Sequence, residues 1–310
     1  MDLAQPPGTP LTSLGGPAGL RRRHALGAAL AALLPVALPG HSVAAPSAIP
    51  MKPSRHLPGM VWQPSLRTLQ PQGRWAQLGV RELLVQWSAV DGKSFVPRGG
   101  LPWVADQLPD WQHIGREPWA QEVIMGLAGM HDENAARTSV PTLVEQARAL
   151  RKAVAGLPLR ITGWYFPVEI DPTWEPPAEW HALLQALPRP LWVSAYDSAN
   201  LGVEALQAWL IRWLSSDVGV FFQDGVGVHA RTPEVARSYL QQLTATLGAA
   251  RLKVIAEAFR PAPQGGFRSA TAQEFLTQLD AYTEWKVYAF DGPHYLDDVL
   301  VATLAAQGVR

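Results

Sequence analysis

The sequence predicts an α/β chain folded as a single-domain (β/α)₈ barrel, and three observations predict it. Eight short, nearly continuous apolar runs follow Gly59, as expected of parallel strands covered on both faces. Amphipathic helical patterns separate most of them. From the third run onward the starts fall at 121, 159, 190, 218, 252 and 286, spacings of 38, 31, 28, 34 and 34 residues, the usual length of a β-α unit. An open doubly wound sheet is the structural alternative. It gains no support from a phosphate loop, because DGVGV (224–228) lacks the spacing of a dinucleotide or P-loop motif.

The predicted strands are MVWQP (60–64), ELLVQWS (82–88), QEVIMGLAG (121–129), LRITGWYFP (159–167), PLWVSAYD (190–197), VGVFFQD (218–224), LKVIAEAF (252–259) and KVYAFDG (286–292). Between them, residues 141–157, 179–187, 203–216, 232–248, 271–285 and 297–308 carry apolar positions at spacings of three and four. Thr232-Pro233-Glu234 is a good helix start, with threonine as cap and proline in the first turn. The helix after strand one is short. Residues 89–120, rich in Gly, Pro and Trp, lack helical periodicity and read as a long loop after strand two.

Ahead of the barrel (59–310), residues 1–45 read as an export signal and 46–58 as a linker. Arginines 21–23 precede a 14-residue apolar run, 25–38, and Ser42-Val43-Ala44 or Val43-Ala44-Ala45 suits a signal peptidase. The apolar run is too short to span a bilayer and is interrupted by Pro35. Paired arginines before a weakly hydrophobic segment point to a bacterial twin-arginine signal, with an ordinary secretory signal as the alternative. Either route places the mature chain in the periplasm or outside the cell. No later segment is apolar for long enough to predict a stable membrane span in the mature form.

Of 310 residues, 47% are hydrophobic and 17% charged, and the formal net charge is zero. That balance argues against a dedicated nucleic-acid binder. The absence of cysteine excludes disulfides, thiolate catalysis and cysteine-held zinc. The eight histidines are scattered without a metal-ligand spacing, so no metal and no cofactor are expected, although a polysaccharide deacetylase using Asp and distant His stays open. A Gly-x-Ser-x-Gly elbow is missing, which argues against a serine hydrolase. Nothing in the sequence specifies an oligomeric state.

Barrels of this kind carry their active sites at the C-terminal strand ends. Polar groups gather there: Gln63, Gln86 with Trp87, Glu169 with Asp171, Tyr196 with Asp197, Gln223 with Asp224, Glu257, and Asp291 with His294. A lone Asp at a strand end commonly caps the next helix, so Asp171, Asp197 and Asp224 each carry that second reading. Glu169 shares a strand side with Gly163, Tyr165 and Pro167 and points into the mouth if that side faces inward. Glu257 sits amid apolar neighbours, where burial raises a carboxyl pKa. Pairing with Lys253, Arg260 or Arg268 is its structural alternative.

Glutamates at the ends of strands four and seven resemble the arrangement in the large superfamily of retaining glycoside hydrolases. That resemblance implies Glu169 as acid/base and Glu257 as nucleophile, although the superfamily's usual Asn-Glu pair is Val168-Glu169 here. GWYFPVEID (163–171) and QDGVG (223–227) are closer still to a bacterial family of uncharacterised, exported glycosidase-like TIM barrels. This implies association with an oligo- or polysaccharide. Gln63, Trp87, Trp164, Tyr165, Tyr196, Asp197, Gln223, Asp224 and Asp291 are the candidate substrate-binding residues. All 13 tryptophans follow residue 61, and Trp103, Trp111, Trp119 and Trp174 in predicted loops are further candidates for stacking on sugar rings. A noncatalytic glycan-binding barrel in polysaccharide export or modification is the rival reading. In a third, Asp197 or Asp224 replaces Glu257.

Overall fold

A computed structural model of the chain describes residues 55–97 and 100–310; the predicted signal and most of the linker lie outside the described residues. The eight predicted strands are all present: β1 (Gly59–Trp62), β2 (Glu82–Val85), β3 (Glu122–Gly126), β4 (Ile161–Ile170), β5 (Leu191–Ala195), β6 (Val218–Gln223), β7 (Leu252–Glu257) and β8 (Val287–Phe290). Each pairs in parallel with its sequence neighbours, and β8 pairs with β1, closing the barrel. The chain is a (β/α)₈ TIM barrel.

Strand alternation divides the apolar residues between two layers. Val61, Leu84, Ile124, Tyr165, Phe221, Ile255 and Tyr288 fill the interior, with Trp192 against them. Their sequence neighbours face outward to the helices. The interior admits large rings because other strands supply glycine: a Cβ on Gly219 would stand 2.4 Å from the Trp192 ring. The N-terminal end is closed by charge. Lys253 lies 3.4 Å and Lys286 2.7 Å from the Glu82 carboxylate, which also accepts from the Tyr288 hydroxyl. Burial pushes Lys253 down to about 8.

The outer helices follow the predicted periodicities: Val140–Ala155, Trp180–Gln185, Val203–Trp213, Pro233–Leu247, Ala272–Ala281 and Asp298–Ala306. Their caps are local chemistry. The Thr232 hydroxyl accepts from Val235 N–H at 3.4 Å, and Thr271 with Glu274 forms a reciprocal capping box. After β1 there is one 3₁₀ turn, Trp75–Leu78.

The segment after β2 is more ordered than its sequence suggests. Ala89–Val90, Lys93–Ser94 and Trp103–Val104 join Ala128–Gly129 in a small sheet beside the barrel, and a short helix follows at Trp111–Ile114. Trp111 and Trp119 are buried, the first donating to Phe95 O at 3.1 Å and the second packed edge-on against Trp75. Both are therefore packing residues, whereas Trp103 is 69% exposed. Among the described residues no helix is long and apolar enough to cross a membrane.

Candidate active site

Strand β4 is longer than its neighbour. Between the pairs Phe166–Val193 and Ile170–Ala195 it advances four residues while β5 advances two. Pro167 falls in that interval and has no N–H to give the ladder, a usual place for an irregularity. Alternation persists through it. Phe166, Val168 and Ile170 join the helix-facing core, while Tyr165 and Glu169 line a cavity of about 150 Å³ at the C-terminal mouth. The extra length carries Glu169 to the rim.

Glu169 is held from three directions. Gln223 Nε2, on β6, donates to its Oε2. Arg137 Nη2 lies 3.8 Å from its Oε1, and Arg137 Nε donates to its backbone carbonyl at 3.0 Å. Glu133 accepts from its backbone N–H at 3.2 Å. Burial, reinforced by the charge of Glu133 and opposed by Arg137, pushes the Glu169 carboxyl up to about 8. That push favours the neutral acid, the form able to donate a proton into the cavity.

Glu257 lies one strand past Gln223, two residues beyond Ile255, the β7 partner of Gln223. It is 6% exposed. Its Oε2 accepts from Gly227 N at 2.7 Å and Val228 N at 3.4 Å. Burial and the nearby Asp224 push it up to about 8, against the pull of those two amides. None of the three expected cations pairs with it. Lys253 sits on Glu82, Arg268 makes a two-pronged contact with Glu274, and Arg260 donates to backbone carbonyls and to Gln278.

Gln223, Asp224 and Gly227 of the QDGVG stretch each have a distinct task. Gln223 orients Glu169. Asp224, fully buried, accepts from Gln278 at 2.7 Å, Tyr282 at 2.9 Å, Val226 N at 3.2 Å and Glu257 N at 3.3 Å. Gly227 has no room for a side chain, since a Cβ there would meet the Glu257 carboxylate oxygen at 2.8 Å. The loop can grip Glu257 only because residue 227 is glycine.

The structure brings Gln63, Trp87, Tyr165, Glu169 and Gln223 together around the cavity. Trp87 is nearly buried and its indole N–H donates to Pro64 O at 3.0 Å, so it offers an edge of apolar wall. The Tyr165 hydroxyl is turned to Ser194 Oγ at 2.8 Å. Tyr196 stands at the rim close to the Arg231 guanidinium, its hydroxyl pushed up to about 12 by burial and the Glu257 charge.

Four expected ligand contacts lie elsewhere. Trp164 alternates out of the barrel and packs against the helix layer. Asp197 accepts from Leu201 N, Gly202 N and Tyr239 OH, holding the start of helix Val203–Trp213. Asp224 is spent on the four donors above. Asp291 accepts from Gln63 N at 3.1 Å and caps the turn carrying His294. Asp171 likewise ties Thr173 to Ser198, and those hydrogen bonds hold it below the usual carboxylate range despite its burial.

Sequence reasoning passed over Glu133, Arg137 and His131. Both Glu133 and His131 line the cavity. The available signal was the polar run MHDEN (130–134) shortly after strand three. Arg137 also lines a larger open groove of about 650 Å³ beside Trp174. Among the described residues no cluster of His, Asp and Glu is placed to hold a metal ion.

No family model matches the chain. No curated protein sequence matches it either. Solved structures do. A candidate alpha-L-fucosidase from Bacteroides thetaiotaomicron superposes with a TM-score of 0.59 at 14% identity, over 86% of this chain and 98% of that one. A chitinase from Chromobacterium violaceum gives 0.44 at 12%, over 81% and 98%. The spore cortex-lytic enzyme SleL of Bacillus cereus gives 0.46 at 9%, over 83% and 75%. The first of these likenesses shows a shared barrel fold.

Proposed function

We propose that this protein is a glycoside hydrolase of the exported glycosidase-like barrels, acting in the periplasm or outside the cell on an oligo- or polysaccharide. One observation carries the reading: a largely buried glutamic acid, Glu169, held by Gln223 and Arg137, lines a cavity at the C-terminal end of the strands of a TIM barrel, where burial favours its protonated form. Glu169 gives its proton to the glycosidic oxygen as the bond to the anomeric carbon breaks. Glu257 attacks that carbon as its carboxylate, its own proton first passing to solvent, a loss that the Gly227 and Val228 amides favour against the push of burial and Asp224. Water then releases the sugar, with Glu169 taking the water's proton back. Gln63, Trp87 and Gln223 shape the sugar site. The fold shared with the fucosidase candidate fits this reading.

The noncatalytic reading has its own support: Glu257 is almost enclosed, and one of its oxygens is occupied by backbone amides. Incubating the purified protein with a panel of polysaccharides and aryl glycosides separates the two. Hydrolysis of a polysaccharide that is lost in Glu169→Gln supports the enzyme. Binding of a glycan without turnover of any substrate supports the binding protein.

A further inference from the structure

Helix Glu133–Thr138 begins after β3 with Asp132 as cap, its side chain accepting from Ala135 N at 2.7 Å. Glu133 and Arg137 stand four residues apart, on one face of that helix. Both turn toward Glu169. Glu133 accepts the Glu169 N–H, and Arg137 takes the Glu169 carbonyl and stands 3.8 Å from its carboxylate. The helix therefore grips both backbone polar groups of one residue and presents an opposed pair of charges to its side chain.

We propose that Glu133 is a positioning residue for Glu169: it clamps the Glu169 peptide and, balanced by Arg137, sets the electrostatic field at its carboxyl. The inference deepens the proposed function and rests on its assignment of Glu169 as proton donor. Bringing a second carboxylate to a buried carboxyl favours the neutral form of one of them. Glu133 is suited to carry the charge, because it accepts an amide N–H and faces Arg137. Burial pushes Glu133 up as well, with Asp132 adding to it. The other groups facing Glu169 are the Gln223 amide from β6, Asp171 further along β4, and Glu257, Tyr165 and Tyr196, each of which the Glu169 charge raises. His131 shares the cavity wall and is engaged with Asp91 at 2.5 Å.

The test reads Glu169 directly, by a carbon-13 NMR pH titration of its carboxyl in the full chain, with the signal assigned by its absence in Glu169→Gln. Glu133→Gln keeps an oxygen for the Glu169 N–H and removes the charge. The Glu169 midpoint is expected to fall by about one unit or more, and Arg137→Gln to raise it. If hydrolysis is observed, the alkaline limb of its pH profile moves the same way. Should Glu133→Gln fail to fold, Glu133→Asp withdraws the charge by one methylene, and a downward shift is again expected. A midpoint unmoved in the folded variants overturns the proposal. A wild-type protein that hydrolyses no glycan overturns the functional reading instead, while the titration still judges Glu133.

Discussion

Gln223, on β6, reaches past β5 to donate its amide N–H to the carboxyl of Glu169 on β4. This contact links the two sequence stretches that first marked the site. It also has a direction, because a donor favours the ionised carboxylate and so restrains the upward push of burial. Gln223→Leu is expected to raise the Glu169 midpoint above its present value of about 8. It frees the carboxyl to turn, with a loss of turnover up to about 10²-fold from misplacement. The titration described above measures the first effect. A midpoint that falls or stays put contradicts the assigned role.

The buried glutamates make stability depend on pH. Glu169 and Glu257 titrate ordinarily near 4.5 and are raised to about 8 in the fold. The folded state therefore holds more protons than the unfolded chain between those values. Their contribution to stability is fully present below about 4.5 and is lost as pH rises through about 8. Asp171 and Glu274 are lowered and work in the other direction, losing their contribution at more acid pH. Glu257→Gln keeps an oxygen for the Gly227 amide and removes the charge, so its unfolding midpoint should exceed that of the wild type at alkaline pH and converge with it near pH 4.5. Thermal unfolding across that window checks this; parallel wild-type and variant curves would count against it.

Asp224 and Gly227 are predicted to act through structure. Asp224→Ala strands four buried donors, the Gln278 amide, the Tyr282 hydroxyl and two backbone N–H groups. At about 1–3 kcal/mol for each group left unsatisfied, with water or rearrangement relieving some, a loss of several kcal/mol is expected in denaturant unfolding. Gly227→Ala drives a methyl into the Glu257 side chain and should displace that carboxyl. Near-wild-type stability of Asp224→Ala would return Asp224 to the list of ligand contacts.

The proposed export route assigns recognition to the paired arginines of the predicted signal. Changing Arg22 and Arg23 together to lysine should leave precursor in the cytoplasm, read by cell fractionation. Normal export of that variant indicates the general secretory route.

The barrel was legible because parallel strands buried on both faces write themselves as apolar runs at a regular period. Glu169 was legible for the same reason, since strand parity ties it to Tyr165. That parity also puts Trp164 on the opposite side. An aromatic next to an inward residue points outward, and the strand's polar-looking end concealed this. The aspartates could not be sorted from sequence, because a carboxylate that caps a helix and one that meets a sugar occupy the same strand-end position. Only the donors around Asp197, Asp224 and Asp291 tell them apart. Glu133 escaped because β3 runs out in Leu127-Ala128-Gly129, and Ala128–Gly129 then pairs with Ala89–Val90 before the polar run begins. Strands of two residues carry no periodicity, which also hid the small sheet within 89–104.

The most direct test of Glu169 as proton donor compares substrates that differ in their need for a proton. An oligosaccharide leaves poorly unless its oxygen is protonated, whereas a dinitrophenyl glycoside leaves without help. In Glu169→Gln, kcat/KM for the oligosaccharide should fall by about 10²–10⁴-fold, the usual contribution of general acid catalysis. For the dinitrophenyl glycoside, kcat/KM reports only the step that releases dinitrophenol and should stay close to the wild-type value, even as kcat falls for want of the base in the second step. Equal losses on both substrates, or wild-type turnover of the oligosaccharide, would contradict the assignment.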